Sequence, residues 1–290
     1  MIKAYLTLLR PHQYLKNLVL ILPAFFALRI NEWEVIWRTI IGIIGFSLVA
    51  SAVYILNDYL DQEEDRKHPV KKHRPIASGI VSGKNALVLM GILLVLFVPM
   101  FYWLDKHAFY LISSYVFMNV LYTFKLKHIP ILDIFIIALG FLIRIATGAT
   151  IATPDIPLTM WIVLMIFLGA LFLALAKRRD DVLLAAEGNK VRKSIDGYNL
   201  EFINGAMVIM ASVLVVSYLS YTISPEVQQK FGSEYLYLTV AFVLLGVLRY
   251  MQITFVEEKS GSPTKVFLQD SFLQLTILGW VIAFVILIYL

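Results

Sequence analysis

VIWRTIIGIIGFSLVASAVYIL, residues 35–56, runs without interruption into Asn57-Asp58-Tyr59-Leu60-Asp61-Gln62-Glu63-Glu64-Asp65-Arg66. The first part carries a single charge, Arg38, and matches the roughly 20 apolar residues that carry a helix across a bilayer core. The second part is dense in carboxylates and begins where that span would leave the hydrocarbon. If the helix continues, Asn57, Asp61 and Asp65 recur every four residues on one face, with Asp58 three residues from Asp61. Like charges at that spacing repel, and a hard divalent cation, which prefers carboxylate and phosphate oxygens, offsets the repulsion. The competing reading is a solvated acidic helix end.

Outward from this stretch, further apolar runs follow the same pattern. Nine qualify as candidate spans: residues 15–28, 35–56, 86–104, 109–124, 131–152, 158–176, 202–223, 235–255 and 272–290. The first is short and holds Pro23, a candidate kink. Composition agrees: of 290 residues 60% are hydrophobic and 16% charged, with mean hydropathy +0.79, whereas soluble domains are about one quarter charged. The expectation is an all-α polytopic membrane protein, a single domain over residues 1–290. With no cysteine, disulfide scaffolds, thiolate metal sites and cysteine nucleophiles are excluded. A net charge of +5 is ordinary for a chain with many cytoplasmic loops and does not argue for nucleic acid. Residues 1–16 carry Lys3, Arg10 and Lys16 with no small-residue cleavage site after them, the pattern of a first anchor rather than a removed signal.

Basic residues alternate between loops. With the N-terminus cytoplasmic, nineteen Lys and Arg fall on the cytoplasmic side and four (Arg29, Arg38, Lys106, Lys230) on the other, which orients the chain with its C-terminus outside. Arg144 and Arg249 fall inside spans, where a charge must face a cavity or a partner; the same holds for Asp133. Three cytoplasmic loops, 57–85, 177–201 and 256–271, are long and polar, so the chemistry is expected at that face.

Directly after the acidic decapeptide comes His68-Pro69-Val70-Lys71-Lys72-His73-Arg74-Pro75-Ile76-Ala77-Ser78-Gly79. Carboxylates for a metal beside Lys and Arg for phosphate oxygens suit a Mg²⁺-diphosphate site. A positive-inside loop explains the basic residues but not the acidic ones. Later, Lys177-Arg178-Arg179-Asp180-Asp181 sets three cations beside two adjacent acids, which on a helix point about 100° apart. That cluster suits holding phosphate better than chelating a second metal, and a basic stop at a helix end is its plain alternative. Lys125 and Lys127 end the fourth span, where snorkelling to the interface is the simpler account. Lys16 and Asn17 open the first span within reach of a bound phosphate.

Asn-Asp-x-x-Asp-x-x-x-Asp followed by Arg-Pro-x-x-Ser-Gly resembles the first signature of the UbiA superfamily of intramembrane prenyltransferases. The resemblance implies nine transmembrane helices around a central cavity, in agreement with the span count. Asp65-Arg66-Lys67-His68-Pro69, Leu9-Arg10-Pro11-His12-Gln13-Tyr14-Leu15-Lys16-Asn17 and Tyr122-Thr123-Phe124-Lys125-Leu126-Lys127-His128 are similar to the decaprenyl-phosphate phosphoribosyltransferase branch. Ordinary members carry a second Asp-x-x-x-Asp pair in a later loop, which this chain lacks; a Lys-Arg-Arg cluster also stands there in the phosphoribosyl branch. The resemblance implies a cell inner or plasma membrane transferase of envelope biosynthesis. Its donor would be phosphoribosyl diphosphate, its acceptor a polyprenyl phosphate and its cofactor Mg²⁺ or Mn²⁺. Asp58, Asp61 and Asp65 would be catalytic, binding metal with Asn57, while Lys16, Asn17, Lys71, Arg74, Lys125, Arg144, Lys177, Arg178 and Arg179 would bind substrate. The alternatives are a prenyl diphosphate donor with an aromatic or lipid acceptor, a transporter with topogenic loops, and another Mg²⁺-dependent membrane phosphotransferase.

Overall fold

The computed structural model describes residues 2–67, 71–152, 156–188 and 193–289. Among them every regular element is helical. The chain forms two compact units, Met1–Leu158 and Thr159–Leu290. Seven helices are long and apolar enough to cross a membrane, and large apolar side chains such as Trp33, Val95 and Leu275 stand exposed on them, as lipid-facing surfaces require.

In the first unit α1 (Ile2–Leu9) is followed by an eleven-residue 3-10 helix, Pro11–Ile21, and by α2 (Leu22–Phe26). The residue before a proline is driven out of the α region, and Arg10 takes a left-handed conformation, φ 54°, which ends α1. Residues 15–28 are therefore not one kinked α-helix: Pro23 sits in the first turn of α2, where its missing N–H costs nothing. Then come α3 (Trp33–Leu60), α4 (Gln62–Lys67), α5 (Gly83–Leu104), α6 (Lys106–Phe124) and α7 (Leu132–Ile151). Ser113, Ser114, Asn119 and Thr123 make α6 more polar than its neighbours, and it is not among the seven.

The core of this unit is aromatic and small-residue packing. Phe46 of α3 meets Phe101 edge-on and Tyr115 at 4.8 Å between centroids. Gly148 of α7 lets the 3-10 helix press in, because a Cβ there would collide with the Leu20 carbonyl. Polar stitches hold the N-terminal segment on α3: the Ser51 hydroxyl donates to the Leu9 carbonyl at 2.7 Å and pairs with the Tyr14 hydroxyl at 3.0 Å. At the far end of α3, Arg38 donates to the C-terminal carbonyls Leu104 O and Ile151 O, groups that a helix leaves unpaired.

The second unit holds α8 (Met160–Ala186), α9 (Leu200–Ile223), α10 (Pro225–Phe231), α11 (Val240–Phe255), α12 (Pro263–Gln269) and α13 (Ser271–Tyr289). Side-chain caps start two of them, Thr159 accepting from Ile162 N and Asn199 from Phe202 N. Trp280 Nε1 donates to the Tyr218 hydroxyl, itself paired with Thr239, so three polar groups within spans satisfy one another. Both α3 and α8 outrun their apolar runs. At 1.5 Å per residue they are about 40 Å long, longer than the hydrocarbon core, so the residue 57 motif and the residue 177 cluster both ride on helix ends.

Candidate active site

The acidic motif is built by the last turn of α3 and by α4. Helical bonds persist through the junction, Asp61 N to Asn57 O and Asp65 N to Asp61 O, while Asp61 caps α3 and is not itself within either helix. The carboxylates thus divide into two sets. Asp58 and Asp65, both buried, share one guanidinium nitrogen: Arg74 Nη1 donates to Asp58 Oδ1 at 3.0 Å and to Asp65 Oδ2 at 2.6 Å. Asp58 also takes Arg10 Nη2 at 2.5 Å. Asp61 accepts from Asn57 Nδ2 at 3.0 Å and pairs with Lys127 Nζ. The i, i+4 pairing of Asn57 with Asp61 read from the sequence is therefore present, and Asp65 turns instead to Asp58.

Local structure aims each cation. The left-handed backbone at Arg10 directs that side chain across the Tyr54 ring, 5.3 Å from its centroid, onto Asp58. Arg74 follows a single 3-10 turn, Lys71–His73. Its placement is fixed by Arg66, which donates to the Ala77 carbonyl, and by Gly79, whose φ of +77° closes the Ser-Gly turn. Lys127 lies in the 3-10 turn Leu126–His128 and is buried: it turns inward to Asp61 rather than snorkelling, while Lys125 stands exposed. Burial pushes the Asp65 carboxyl above the ordinary range, and Arg74 draws it back down. His68 and Pro69 lie outside the described residues, as do Lys190 and Arg192.

Arg144 is a second feature of the same unit. Its Nε donates to Asn17 Oδ1 at 2.8 Å and its Nη2 to the Tyr115 hydroxyl at 3.0 Å, with the rings of Phe46, Tyr115 and Phe141 5.0–5.1 Å from Cζ. Asn17 in turn donates to Ser47 at 2.9 Å. Neutral oxygens and π-faces thus hold this buried cation, and the chain Arg144–Asn17–Ser47 pins the 3-10 helix that bears Lys16. Asp133 is buried in the first turn of α7, where the helix dipole favours an anion.

In the second unit the basic cluster lies on α8 itself. Arg178 pairs with Asp181 one turn on. Arg179 donates to Asn204 Oδ1 at 3.2 Å and to the Thr254 carbonyl at 2.8 Å, and reaches Glu258 at 3.4 Å. It therefore ties α8 to α9 and to the end of α11. The segment after α11 packs on the same helix end, with Ser260 donating to Ala176 O and Gly261 so close to Asp180 that a Cβ would collide with its carboxylate. Arg249 closes that segment onto Asp270 at 2.6 Å and Glu257 at 2.7 Å, and its hydrogen bond holds the Asp270 carboxyl below the usual range. Lys177 is partly exposed.

Arg10 and Lys127 are the two members of the acidic site that spacing alone does not reveal, since they lie 48 and 66 residues from their partners. The donor set, three carboxylates and an amide, has the hard-oxygen chemistry that Mg²⁺ or Mn²⁺ takes. In the arrangement seen, Arg10, Arg74 and Lys127 supply the counter-charge, and no group of three or more acids or histidines converges as a metal cluster among the described residues.

The model of the UbiA prenyltransferase family matches residues 17–276. The decaprenyl-phosphate phosphoribosyltransferase of Mycolicibacterium smegmatis is 32% identical over 284 residues, covering 94% of this chain and 88% of that protein. The protein of that name from Mycobacterium tuberculosis strain H37Rv is 31% identical over 278 residues, 94% of this chain and 90% of its own length. A solved UbiA homolog from Archaeoglobus fulgidus bound to GPP and Mg²⁺ superposes with a TM-score of 0.70 over 97% of this chain and 99% of that one, at 17% identity, a likeness of fold. An all-helical membrane architecture, an acidic motif at a helix end and a family match over most of the sequence lead to one statement: the chain belongs to the UbiA prenyltransferase family.

Proposed function

We propose that this enzyme moves the 5-phosphoribosyl group from phosphoribosyl diphosphate to a polyprenyl phosphate, releasing diphosphate with the help of Mg²⁺. The observation that carries this reading is the interleaving of Asp58, Asp61 and Asp65 with Arg10, Arg74 and Lys127 at the end of α3. The name shared by relatives about one third identical over nearly the whole chain supports the choice of donor and acceptor. Residues 1–290 would work as one transferase domain of nine spans in the inner or plasma membrane, N-terminus cytoplasmic, C-terminus outside, with the site at the cytoplasmic face. The asymmetry of Lys and Arg between loops supports that orientation.

Asp58, Asp61 and Asp65, with Asn57 in support, would hold the divalent cation, which supplies neutralisation of the leaving diphosphate. Lys71 and Arg74 would hold phosphate oxygens, and Lys125, exposed nearby in sequence to the buried Lys127, would meet phosphate at the membrane edge. Lys16 would face the same anions, with Asn17 and Arg144 fixing the segment that carries it. Lys177, Arg178 and Arg179 form a further phosphate-binding candidate on α8. The bond from ribose C1 to the diphosphate oxygen breaks, and one from C1 to an acceptor phosphate oxygen forms on the opposite face. A phosphate monoester, with its second pKa about 6, is largely dianionic at neutral pH, so the chain need not supply a general base.

The test is transfer of radiolabelled ribose phosphate from phosphoribosyl diphosphate to a polyprenyl phosphate by purified protein with Mg²⁺. A parallel assay uses geranylgeranyl diphosphate with an aromatic acceptor. Labelled lipid in the first assay alone is the expected result; product in the second alone would replace this reading with prenyl transfer.

A further inference from the structure

The second unit contains an apolar groove, none of whose lining residues has a part in the proposed reaction. A cavity of about 280 Å³ lies among α8, α11, α12 and α13, walled by Phe172, Phe242, Tyr250, Phe267 and Trp280. From Phe242 to Tyr250 it follows α11 for about 12 Å. No residue along it is charged. Two of its three polar side chains are committed elsewhere, Thr276 to the Phe272 carbonyl and Trp280 to Tyr218. The third is not: the Tyr250 hydroxyl is buried and has no hydrogen-bond partner among the described residues. Leaving such a group unpaired costs about 1–3 kcal/mol, and native structures rarely do so without cause.

Water needs two to four polar partners, and the lining offers at most the hydroxyls of Tyr250 and Thr276, the latter already donating to Phe272 O, in an otherwise apolar wall. A helix, about 10–12 Å across with its side chains, does not fit. A phosphate would be buried without a counter-charge, a costly arrangement. What remains is an apolar chain with an uncharged oxygen, and Tyr250 adjoins Arg249, whose guanidinium pairs with Glu257 just after α11 and with Asp270 just before α13, so this end of the groove lies at the polar edge of the spans, the depth at which chain esters lie. We propose that this groove binds one acyl chain of a bilayer glycerolipid, whose ester carbonyl accepts a hydrogen bond from Tyr250.

Gly169 and Gly246 keep the groove open. Neither glycine is demanded by crowding, since a Cβ at Gly246 would meet nothing closer than Thr276 Cγ2 at 3.8 Å. A leucine there extends into the groove itself, which makes Gly246→Leu a plug that the surrounding packing accommodates.

The experiment uses the full chain in vesicles of phosphatidylethanolamine and phosphatidylglycerol with a trace of phosphatidylethanolamine bearing a diazirine on its acyl chain. After photolysis, adducts are mapped by peptide mass spectrometry and normalised to labelling of the exposed face of α5. Adducts are expected on the groove segments of α11 and α13. They should fall more than tenfold in Gly246→Leu and about fivefold in Tyr250→Phe, the equivalent of one neutral hydrogen bond of about 1 kcal/mol. Unchanged groove labelling in both folded variants would overturn the proposal. So would displacement of the acyl probe by an equal mole fraction of diazirine-labelled polyprenyl phosphate, which would make the groove an acceptor site. Should Gly246→Leu fail to fold, Tyr250→Phe decides alone, a fall supporting the proposal and no change refuting it.

Discussion

Arg74 is the residue whose loss should expose the charge balance of the site. Its Nη1 stands 3.0 Å from Asp58 and 2.6 Å from Asp65, contacts worth about 6 kcal/mol each before desolvation at an effective dielectric near 20. In Arg74→Gln, Asp58 retains Arg10 at 2.5 Å, but Asp65, 4% exposed, keeps only the longer-range attraction of Lys71. Removing one partner of a buried pair costs about 3–5 kcal/mol. Arg74 is itself 26% exposed, so water shares the pairing and a loss of about 2 kcal/mol is expected. That corresponds to about 4–6 °C in Tm, read by thermal unfolding of the detergent-solubilised protein.

The cause is separable from mere loss of a side chain. Adding Asp65→Asn to Arg74→Gln removes the stranded charge and should restore at least half of the stability. Mg²⁺ should stabilise the single variant more than the parent protein, because no guanidinium competes for the oxygens. At ten times its Kd the cation contributes about 1.4 kcal/mol, and the double variant should show less of this gain. A stable Arg74→Gln, or a double variant no better than the single one, would refute the account of Asp58 and Asp65 as buried anions balanced by Arg74.

Asp61→Asn and Asp65→Asn should each abolish turnover while the protein still purifies as a folded species; retained activity in either would remove the metal-site reading. Turnover should also vanish in excess chelator and return with Mg²⁺ or Mn²⁺, and chelator-resistant activity would count equally against it. Asp270, held below its ordinary range by Arg249, contributes stability that is present above about pH 4, the unfolded value, and is lost as pH falls through the lower folded value. Asp270→Asn should therefore cost about 1 kcal/mol at pH 7 and progressively less as pH falls below about 4, measured as the difference in Tm from the parent at each pH. A reporter fused after Leu290 should be active only outside the cytoplasm, and a cytoplasmic signal would mean that the span count is off by one.

Much of the fold could be read from apolar periodicity because the bilayer imposes a single length scale on it. Residues 35–56, 86–104 and 202–223 all fall within long helices whose ends differ from the apolar runs by a few residues. The misreadings occur where hydropathy is blind to backbone geometry. Residues 15–28 are apolar enough for a span, yet a 3-10 helix and an α-helix of the same composition look alike in sequence, and Pro11 and Pro23 mark the segment boundaries only once the backbone is seen. Hydropathy also places the end of the sixth run at residue 176, because charge begins there, whereas α8 runs on to Ala186.

The acidic motif could be read for a different reason: carboxylates at i and i+4 are costly unless something compensates them, so their presence signals a partner. The identity of that partner is not local. Arg10 looks topogenic and Lys127 looks interfacial until the fold brings them to Asp58 and Asp61. Three carboxylates then meet three cations, so the set is neutral as it stands. On the proposed reading, a dication arriving alone would leave this set with an excess of positive charge, and a diphosphate arriving alone would leave it negative. A metal-diphosphate complex would satisfy both halves at once, the carboxylates of Asp58, Asp61 and Asp65 holding its cation and Arg74 its phosphate oxygens.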